Sequence, residues 1–351
     1  MTTWNLLAAL SLCLAPFAGG GAHAETGSDY RLSDPAVHGN LAIYFVHGES
    51  RGGPIPLTLS EALAKKTIEV REIGQVNEVQ VENTGGEEIF IQAGDIVKGG
   101  QQDRVLSVSL VLKPHSGPLK IASFCVEQGR WSARGNEDVA RFSSANAALP
   151  SRAAKIEMAG APSSKTAGLD AATVSSRQRE IWKKVTEIQG KLSSNLGAPV
   201  AAAPSRTSLQ LALENGGLER AQAEYVKALQ PLGEKDSDIV GYVFAVNGKI
   251  NSADIYPSNG LFRKMWPKLL RASVTEALGE RDGVAQPAPP VADANSFLSS
   301  PGETRGVEKV EKDAGSGGRI EMRESAKMLF MEAKPAAAPA SAWVHRNYLA
   351  K

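Results

Sequence analysis

Short runs of alternating apolar and polar residues dominate the first part of the chain and predict β-strands. They read LAIYFVHG from position 41, KTIEVREI, NEVQVEN, EEIFIQA, RVLSVSLVL from position 104 and LKIASFCVE from position 119. The tetrapeptide TGGE at positions 84–87 is typical of a hairpin between two of these strands. LSEALAKK, between positions 58 and 66, predicts one short helix.

The second half combines helical and strand patterns. Apolar residues three or four positions apart between Ile181 and Leu196 predict an amphipathic helix, as does LERAQAEYVKAL from position 218. Asn247-Gly248 favours a type I′ turn between two strands. The apolar face at positions 262–278 predicts a further helix, in which Pro267 indicates a kink or a start. RIEMRE, KMLFMEA and AWVHRNYL predict closing strands.

Strands, then helices, then strands indicate an α+β fold with a mostly antiparallel or mixed sheet and several packed helices. We interpret residues 41–351 as a single domain with long low-complexity insertions, preceded by an N-terminal segment at 25–40. Stretches rich in Ala, Ser, Gly and Pro predict flexible segments near 145–173, 197–207, 283–304 and 334–342.

Residues 1–24 have the pattern of a cleaved export signal. The apolar run from Leu6 to Gly20 is too short to span a bilayer, and Ala22-His23-Ala24 is a small-x-small cleavage pattern, although no Lys or Arg precedes the run. Cleavage after Ala24 predicts a periplasmic or secreted product without stable membrane insertion. Cys125 is then the one remaining cysteine, so no internal disulfide forms.

The overall charge is balanced. Lys and Arg number 39 and Asp and Glu 38, a net charge of +1, which argues against nucleic-acid binding. No two histidines have the spacing of metal ligands, so no metal site is predicted. The sequence does not identify a cofactor or the oligomeric state.

The stretch AGDIVKGGQQDRVL, residues 93–106, superficially resembles a phosphate-binding P-loop. A P-loop needs Lys and then Ser or Thr where Gly100 and Gln101 stand, and it needs a following helix rather than a strand. The P-loop interpretation therefore fails. What remains is a tight loop with five candidate ligand-binding or catalytic side chains: Asp95, Lys98, Gln102, Asp103 and Arg104.

Strand alternation places Arg104 on the more apolar face of RVLSVSLVL and Asp103 on the other face. A guanidinium on a core-facing row needs an acidic partner or an anionic ligand, because burying it unpaired is very costly. Both an internal ion pair and a bound anion satisfy this requirement.

A second polar bend, CVEQGRWSARG at residues 125–135, also follows a strand. If the two strand ends are neighbours, Glu127, Gln128 and Arg130 form one charged wall with the first bend. Arginine suits carboxylate or phosphate, and Trp131 could stack on a planar group. The alternative is a structural network of ion pairs and amides. Cys125 has no assignable base, and burial as a small apolar residue explains it better than nucleophilic catalysis.

Basic residues also occur in NGLFRKMWPKLLR, residues 259–271. A solvated basic face opposite an apolar one is their usual explanation. A contribution of Lys264 or Lys268 to an anion pocket is the alternative.

AGDIVKGGQQDRVL, SFCVEQGRW, SSRQREIW, VFAVNGKI and LFRKMWPKLLR, in this order, resemble one family. It is the ARG- and rhodanese-phosphatase-superfamily-associated domain family, where ARG means ADP-ribosylglycohydrolase, and the resemblance spans roughly Leu41 to Leu278. It implies an α+β domain of unassigned biochemical role. Its name suggests, by association alone, a nucleotide-derived or phosphorylated ligand. The family-like polar positions are Asp95, Lys98, Gln102, Asp103, Arg104, Glu127, Gln128 and Arg130.

These observations lead to two hypotheses. In the first, an exported domain binds a small anionic ligand, nucleotide-like or sugar-phosphate-like, at the strand-end loops. Arg104 and Arg130 clamp the anion, Lys98 adds charge, and Glu127 or Asp103 is the general base if chemistry occurs, with Glu127 favoured because Asp103 faces away from Arg104. In the second, the chain is a non-catalytic exported structural or protein-interaction domain. Convergence of the arginines on an open concavity favours the first hypothesis, and their burial against protein acids or carbonyls favours the second.

Overall fold

The computed structural model describes Met1 and residues 30–130, 132, 134–135, 137–160, 171–284, 286–302, 308–313, 318–335 and 342–351. Apart from Met1, the predicted export signal lies outside the described residues, and so does Trp131. The described part of the chain confirms an α+β fold with antiparallel and mixed sheets.

The strands come mainly at the two ends of the chain. They are β1 (Arg31–Leu32), β2 (Ala36–His38), β3 (Leu41–His47), β4 (Leu57–Thr58), β5 (Ile68–Arg71), β6 (Glu78–Asn83), β7 (Ile89–Ile91), β8 (Asp95–Gly99), β9 (Arg104–Leu106), β10 (Leu110–Leu112), β11 (Gly117–Cys125), β12 (Phe142–Ala148), β13 (Ile239–Val246), β14 (Lys249–Ile255), β15 (Glu308–Asp313), β16 (Gly318–Glu324), β17 (Met328–Pro335) and β18 (His345–Ala350).

Most helices lie between these two sets of strands. They are α1 (Leu59–Lys65), α2 (Arg152–Ala159), α3 (Ala171–Leu196), α4 (Leu209–Leu213), α5 (Gly216–Gly233), α6 (Asn259–Gly279) and α7 (Val291–Ser299). None of the described helices is both long and apolar enough to cross a membrane.

A long antiparallel sheet forms the base of the fold. Its strand order is β1-β3-β13-β14-β18-β17-β16-β15, and β2 also pairs with β3. The described part of the predicted N-terminal segment, residues 30–40, therefore belongs to this sheet. β13 and β14 form the predicted hairpin, in which Asn247 and Gly248 have φ angles of 49° and 70°. The positive φ at both positions is what a type I′ turn requires.

Two smaller sheets complete the fold, and the six-stranded one carries both polar bends. One has the order β12-β8-β9-β11-β6-β5, and the other has the order β10-β7-β4 with a parallel β4–β7 pair. The predicted single strand RVLSVSLVL is therefore wrong, because β9 and β10 belong to different sheets. Ser109 lies just before β10 and its Oγ accepts a hydrogen bond from the amide of Ala93 at 2.9 Å, which fixes the chain where it changes sheet.

The predicted hairpin at positions 84–87 is also wrong. β6 pairs with β5 and β11, whereas β7 pairs with β4 and β10. The buried side chain of Asn83 explains the corner, since its Nδ2 donates to the carbonyl oxygens of Glu87 and Lys113 at 2.8 and 2.9 Å. Side-chain bonds of this kind let the chain leave one sheet without closing a hairpin.

Helix ends follow the local sequence closely. Thr58 and Glu61 form a capping box at the start of α1, which confirms the short helix predicted there. Ser258 caps α6 by accepting from the amide of Leu261 at 3.3 Å, and the helix runs through Pro267 instead of starting at it. The apolar face of α6 packs on the long sheet, where the Trp266 ring contacts the rings of Phe45 and Tyr242.

Part of the predicted flexible segments has regular structure. Residues 145–148 end β12, residues 152–159 form α2, residues 171–173 begin α3, and residues 291–299 form α7. Ala145, Ala147 and Ala148 are buried, so the alanine-rich composition reflects close packing against β8 and the helices rather than a lack of core. In the 197–207 segment Val200 is fully buried. Residues 161–170, 303–304 and 336–341 lie outside the described residues.

Candidate functional site

The two polar bends lie side by side, which is the condition that one charged wall requires. β9 and β11 are antiparallel neighbours with Arg104 opposite Cys125, so the start of one strand meets the end of the other. The amide of Val126 donates to the carbonyl of Asp103 at 3.0 Å and joins the two bends directly. We call residues 99–104 bend 1 and residues 126–137 bend 2.

Arg104 has an internal acidic partner. Its guanidinium is fully buried, pairs with Glu72 and donates to the carbonyl of Val76. One Nη also lies 2.6 Å from the Sγ of Cys125. Gly100 permits this arrangement, because at its φ of 56° a Cβ would lie 2.9 Å from an oxygen of Glu72. Arg104 therefore faces protein groups and not an open concavity.

Asp103 and Arg134 are the centre of the contact between the bends. The guanidinium donates to both carboxylate oxygens at 2.9 and 3.0 Å, and Arg134 also contacts Glu127 and Glu137 at 3.4 and 3.0 Å. Burial alone would lower the pKa of Arg134, but the hydrogen bonds and negative charge of Asp103 raise it above its usual value. Asp103 also accepts from the Ser208 hydroxyl at 2.7 Å. Arg134 lies within the polar stretch at residues 125–135 but was not among the candidate site residues.

Arg130 and Glu127 are also satisfied within the protein. Nε of Arg130 donates to Glu127 at 2.8 Å, and its two Nη atoms donate to the carbonyls of Gly100 and Gly99 at 3.0 and 3.2 Å. The other oxygen of Glu127 accepts from the amide of Asp103 at 3.1 Å. Both proposed general bases, Glu127 and Asp103, have no exposed surface. By the geometric criterion set above, the bends fit a structural network better than a ligand clamp.

The remaining predicted residues are spread around the bends. Gln128 is exposed, and its backbone bonds the Thr207 hydroxyl at 3.1 and 2.8 Å. Gln102 is fully buried, and neither atom of its amide has a hydrogen-bond partner among the described residues. Lys98 is half-buried and pairs with Glu214 at 2.7 Å. Two of the predicted residues are connected with a pocket outside the bends. Asp95 lines it, and Lys98 pairs with its lining residue Glu214.

The pocket has a volume of about 380 Å³ and lies beside α6. Lys264, Lys268 and Arg271 form one wall, because spacings of four and three residues place them on one face of that helix. Of the two interpretations of the basic residues, the structure therefore supports pocket lining for Lys264 and Lys268. The other described lining residues are Thr58, Leu59, Ser60, Asp95, Ala145, Ala147, Gln210, Leu213, Glu214, Glu219, Gln222, Met265 and Pro267.

Asp95 and Lys268 form a nearly buried ion pair in the pocket wall. Nζ of Lys268 lies 2.7 Å from one carboxylate oxygen of Asp95, and the other oxygen accepts from the amide of Gln92 at 2.9 Å. The alanines at positions 145 and 147 carry the smallest apolar side chains and leave space beside this pair. The alanine-rich stretch that sequence composition assigned to a flexible segment therefore forms part of the pocket.

Arg271 differs from the other two cations. Lys264 donates to Glu61 and to the carbonyl of Pro56, both at 3.1 Å, and Lys268 is paired with Asp95. The half-buried guanidinium of Arg271 has no hydrogen bond or ion pair within the described part of the chain. Its five donors are available on the pocket wall. Arg271 was not among the predicted site residues, although helical spacing from Lys264 and Lys268 pointed to it.

A second wall comes from α4, α5 and Glu214, which lies between these two helices. Gln210 is almost fully buried, its Nε2 donates to Glu214 at 2.9 Å, and its Oε1 has no partner among the described residues. Ser208 caps α4 by accepting from the amide of Leu211 at 3.0 Å, and the same hydroxyl donates to Asp103. Bend 1 thereby holds the helix that carries Gln210.

A Ser-His-Asp arrangement also occurs in the protein interior. Nδ1 of His345 lies 3.0 Å from Oγ of Ser109, and its Nε2 lies 3.0 Å from Oδ1 of Asp254. All three residues are buried, and none of them lines the pocket. Ser109 already accepts the amide proton of Ala93. This chain of hydrogen bonds connects the residue before β10 with β14 and β18. Its burial fits a structural role.

No group of three or more His, Cys, Asp or Glu residues in the described chain has a geometry that could hold a metal ion. A family model described as ARG and Rhodanese-Phosphatase-superfamily-associated Protein domain matches residues 29–349. This range is wider than the resemblance seen in the sequence motifs, and it includes the closing strands. No curated protein and no solved structure matches the chain.

Proposed function

We propose that this chain, which belongs to the ARG and rhodanese-phosphatase-superfamily-associated protein domain family, binds a small anionic ligand in the pocket beside α6. The observation that carries the proposal is the half-buried guanidinium of Arg271, which lines the pocket without a partner among the described residues. A partly desolvated cation favours a counter-ion, and a guanidinium can bind two oxygens of a phosphate or carboxylate at once.

The neighbouring lysines supply further donors. An ammonium group has three N–H donors. Lys268 uses one of them on Asp95, and Lys264 uses two on Glu61 and Pro56. The three remaining lysine donors supplement those of Arg271. This donor set suits an anion with several oxygens.

The proposed anion site lies in the pocket beside α6 and not in the two polar bends, where the sequence analysis expected it. Arg104 and Arg130 have protein partners, so Arg271 and the lysines of α6 replace them as the groups proposed to bind the anion. Asp95 stays in the site as the partner of Lys268, and Lys98 acts on it through Glu214. The proposed function is binding, without an assigned general base. The leader pattern keeps the proposed location periplasmic or secreted.

Thermal unfolding with a panel of anions tests the proposal. A ligand at about a hundred times its dissociation constant adds ~2.7 kcal/mol to the free energy of unfolding. We expect inorganic phosphate or a phosphorylated compound to stabilise the protein, and Arg271→Gln to abolish that gain. Arg179→Gln, which changes an exposed arginine of α3 outside the pocket, is the matched control. An equal gain in Arg271→Gln, or no gain with any anion, contradicts the proposal.

A specific observation favours the second candidate function, a non-catalytic exported structural or interaction domain. The polar groups of the two bends that looked most like a binding site are Asp103, Arg104, Glu127 and Arg130, and each is paired inside the protein. Under this function the pocket has no ligand. The thermal titration above separates the two candidates, since only the first predicts stabilisation that depends on Arg271.

A further inference from the structure

We infer that the ligand is a small phosphorylated sugar or polyol rather than a nucleotide. This inference rests on the proposed anion site and concerns the rest of the same pocket. The evidence is the chemical difference between its two walls: unpaired donors on α6, and acceptors on α4 and α5.

The described lining residues offer no surface for a nucleobase. The apolar ones are Leu59, Leu213, Met265, Pro267 and two alanines, so no aromatic ring among them faces the pocket. Proteins commonly hold bases by stacking them on aromatic side chains, which contributes about 1–3 kcal/mol per base in single-stranded nucleic-acid complexes. The volume of about 380 Å³ is also near the lower end of the range for ligand pockets, about 300–1,000 Å³. Both observations favour a compact ligand.

The second wall is rich in acceptors. Oε1 of Gln210 is buried without a partner among the described residues, and a buried acceptor left unsatisfied is costly. A ligand hydroxyl can donate to it after a rotation of the side-chain amide, because the oxygen has almost no exposed surface as it stands. The carboxylate of Glu214, positioned by Lys98 and by Nε2 of Gln210, can accept from a second hydroxyl. An ionised carboxylate has about four lone-pair sites, so these internal bonds leave acceptor capacity.

The carboxylates also limit the charge of the ligand. Glu219 is exposed at the pocket and has no partner within the described chain, and Glu214 and Asp95 add two more acidic groups. Asp95 and Glu214 are neutralised by Lys268 and Lys98, so Glu219 and Arg271 are the lining charges without an ion-pair partner among the described residues. Repulsion from Glu219 disfavours a second anionic group at that wall. A ligand with one phosphate and several hydroxyls fits both walls.

Isothermal titration calorimetry with four probes tests the inference: inorganic phosphate, ribose 5-phosphate, free ribose and AMP. We expect ribose 5-phosphate to bind at least about tenfold more tightly than phosphate and than AMP, and ribose alone to bind weakly. Gln210→Met keeps a similar side-chain size and removes the acceptor, so it should lose the tenfold advantage and keep phosphate affinity. Beside these four probes, a bisphosphorylated sugar should bind more weakly than ribose 5-phosphate, and Glu219→Gln should reduce that difference by removing an exposed negative charge.

The outcomes separate this inference from the function on which it rests. Equal affinity for phosphate and ribose 5-phosphate, or tighter binding of AMP, overturns the inference and leaves the anion site intact. Binding of none of the phosphorylated probes overturns both. If Gln210→Met does not fold, the ratio of ribose 5-phosphate to phosphate affinity in the unaltered protein and in Glu219→Gln still decides the matter. Arg179→Gln should match the unaltered protein with every probe.

Discussion

Arg134 and Asp103 meet through two parallel hydrogen bonds of 2.9 and 3.0 Å, in the interior between the two polar bends. A planar guanidinium fits a carboxylate in this two-pronged way, and lysine cannot reproduce it. Because Asp103 also bonds the cap of α4 through Ser208, the pair connects the bends to one wall of the pocket. The residues of the sequence motifs thus do not line the pocket at this point but help to position α4, which does.

Arg134→Lys should destabilise the protein strongly. It keeps the positive charge but replaces the two-pronged contact with Asp103 by at most one hydrogen bond, and a lost hydrogen bond to a buried charged group costs about 1–3 kcal/mol. Urea unfolding followed by circular dichroism gives the free energy. Arg179→Lys, at an exposed position of α3, should stay within about 0.5 kcal/mol of the unaltered protein. A loss that is equally small in Arg134→Lys would mean that the pair is not a structural element.

Asp95→Asn should weaken the fold and strengthen anion binding. The substitution removes the charge that neutralises Lys268 at 2.7 Å, so the free protein loses a nearly buried ion pair and the pocket gains a net positive charge. Calorimetry with phosphate at two salt concentrations measures both the affinity and its electrostatic part. If Asp95 instead accepts a hydrogen bond from the ligand, its substitution should reduce the affinity.

Asp254 should make stability fall in acid. Burial by itself raises its pKa, but hydrogen bonds from His345 and Asn347 and the charge of Lys155 outweigh burial and hold the pKa below the usual aspartate value. The stabilisation is therefore present above the unfolded-state pKa, about 3.9, and is lost as pH falls through the lower folded-state value. Asp254→Asn should be much less stable than the unaltered protein at pH 7, and the difference should shrink below pH 4. A difference that does not change with pH would contradict this linkage.

Glu276 should act in the opposite direction. Burial raises the pKa of its carboxyl group above the usual glutamate value, so the folded state favours the neutral form. Ionisation above the unfolded-state pKa then costs stability, and the cost disappears as pH falls below that value. Glu276→Gln keeps an acceptor for the amide of Arg152 and for Asn251, so we expect a higher melting temperature at pH 7 and little change near pH 4. A lower melting temperature at pH 7 would refute this.

Cys125 should resist thiol reagents in the folded protein. Its side chain has no exposed surface, and burial raises its pKa to about 11 even though Arg104 lies beside it. The thiolate, which is the reactive form, is therefore scarce at neutral pH. Labelling with a maleimide should proceed only as fast as the protein opens, and it should become rapid in denaturant. Rapid labelling of the native protein would restore Cys125 as a candidate nucleophile.

Local signals in the sequence predicted local structure well. The Asn247-Gly248 turn and the capped helix after Thr58 depend on neighbouring residues, and both are present. RVLSVSLVL and the TGGE corner were assigned wrongly, because the choice of partner strand depends on distant residues such as Ala93 and Lys113. The residue pattern of one strand does not show which other strand it pairs with.

The site was predictable only in part. Arg104 is buried, but Asp103, Val105 and Leu106 are equally buried, so alternation did not distinguish two faces there. The adjacency of the bends was a condition of the first hypothesis, and the pairing of β9 with β11 meets it. Glu72, the partner of Arg104, follows β5 in a loop without a distinctive pattern, so the sequence could not decide between internal pairing and a ligand. The pocket depends on the packing of α6 against β12 and α5, and alanines at positions 145 and 147 indicate a cavity only once those neighbours are known.

The position of β18 limits when the molecule can finish folding. β18 comes last in the chain among the described strands, yet it sits between β14 and β17 inside the long sheet. Until residues 345–350 have been synthesised, the sheet remains in two separate pieces, and Asp254 has no imidazole to pair with. A nascent chain is thus held short of its native state until β18 has been synthesised. Chaperones that act on unfolded polypeptide have that whole interval in which to engage it.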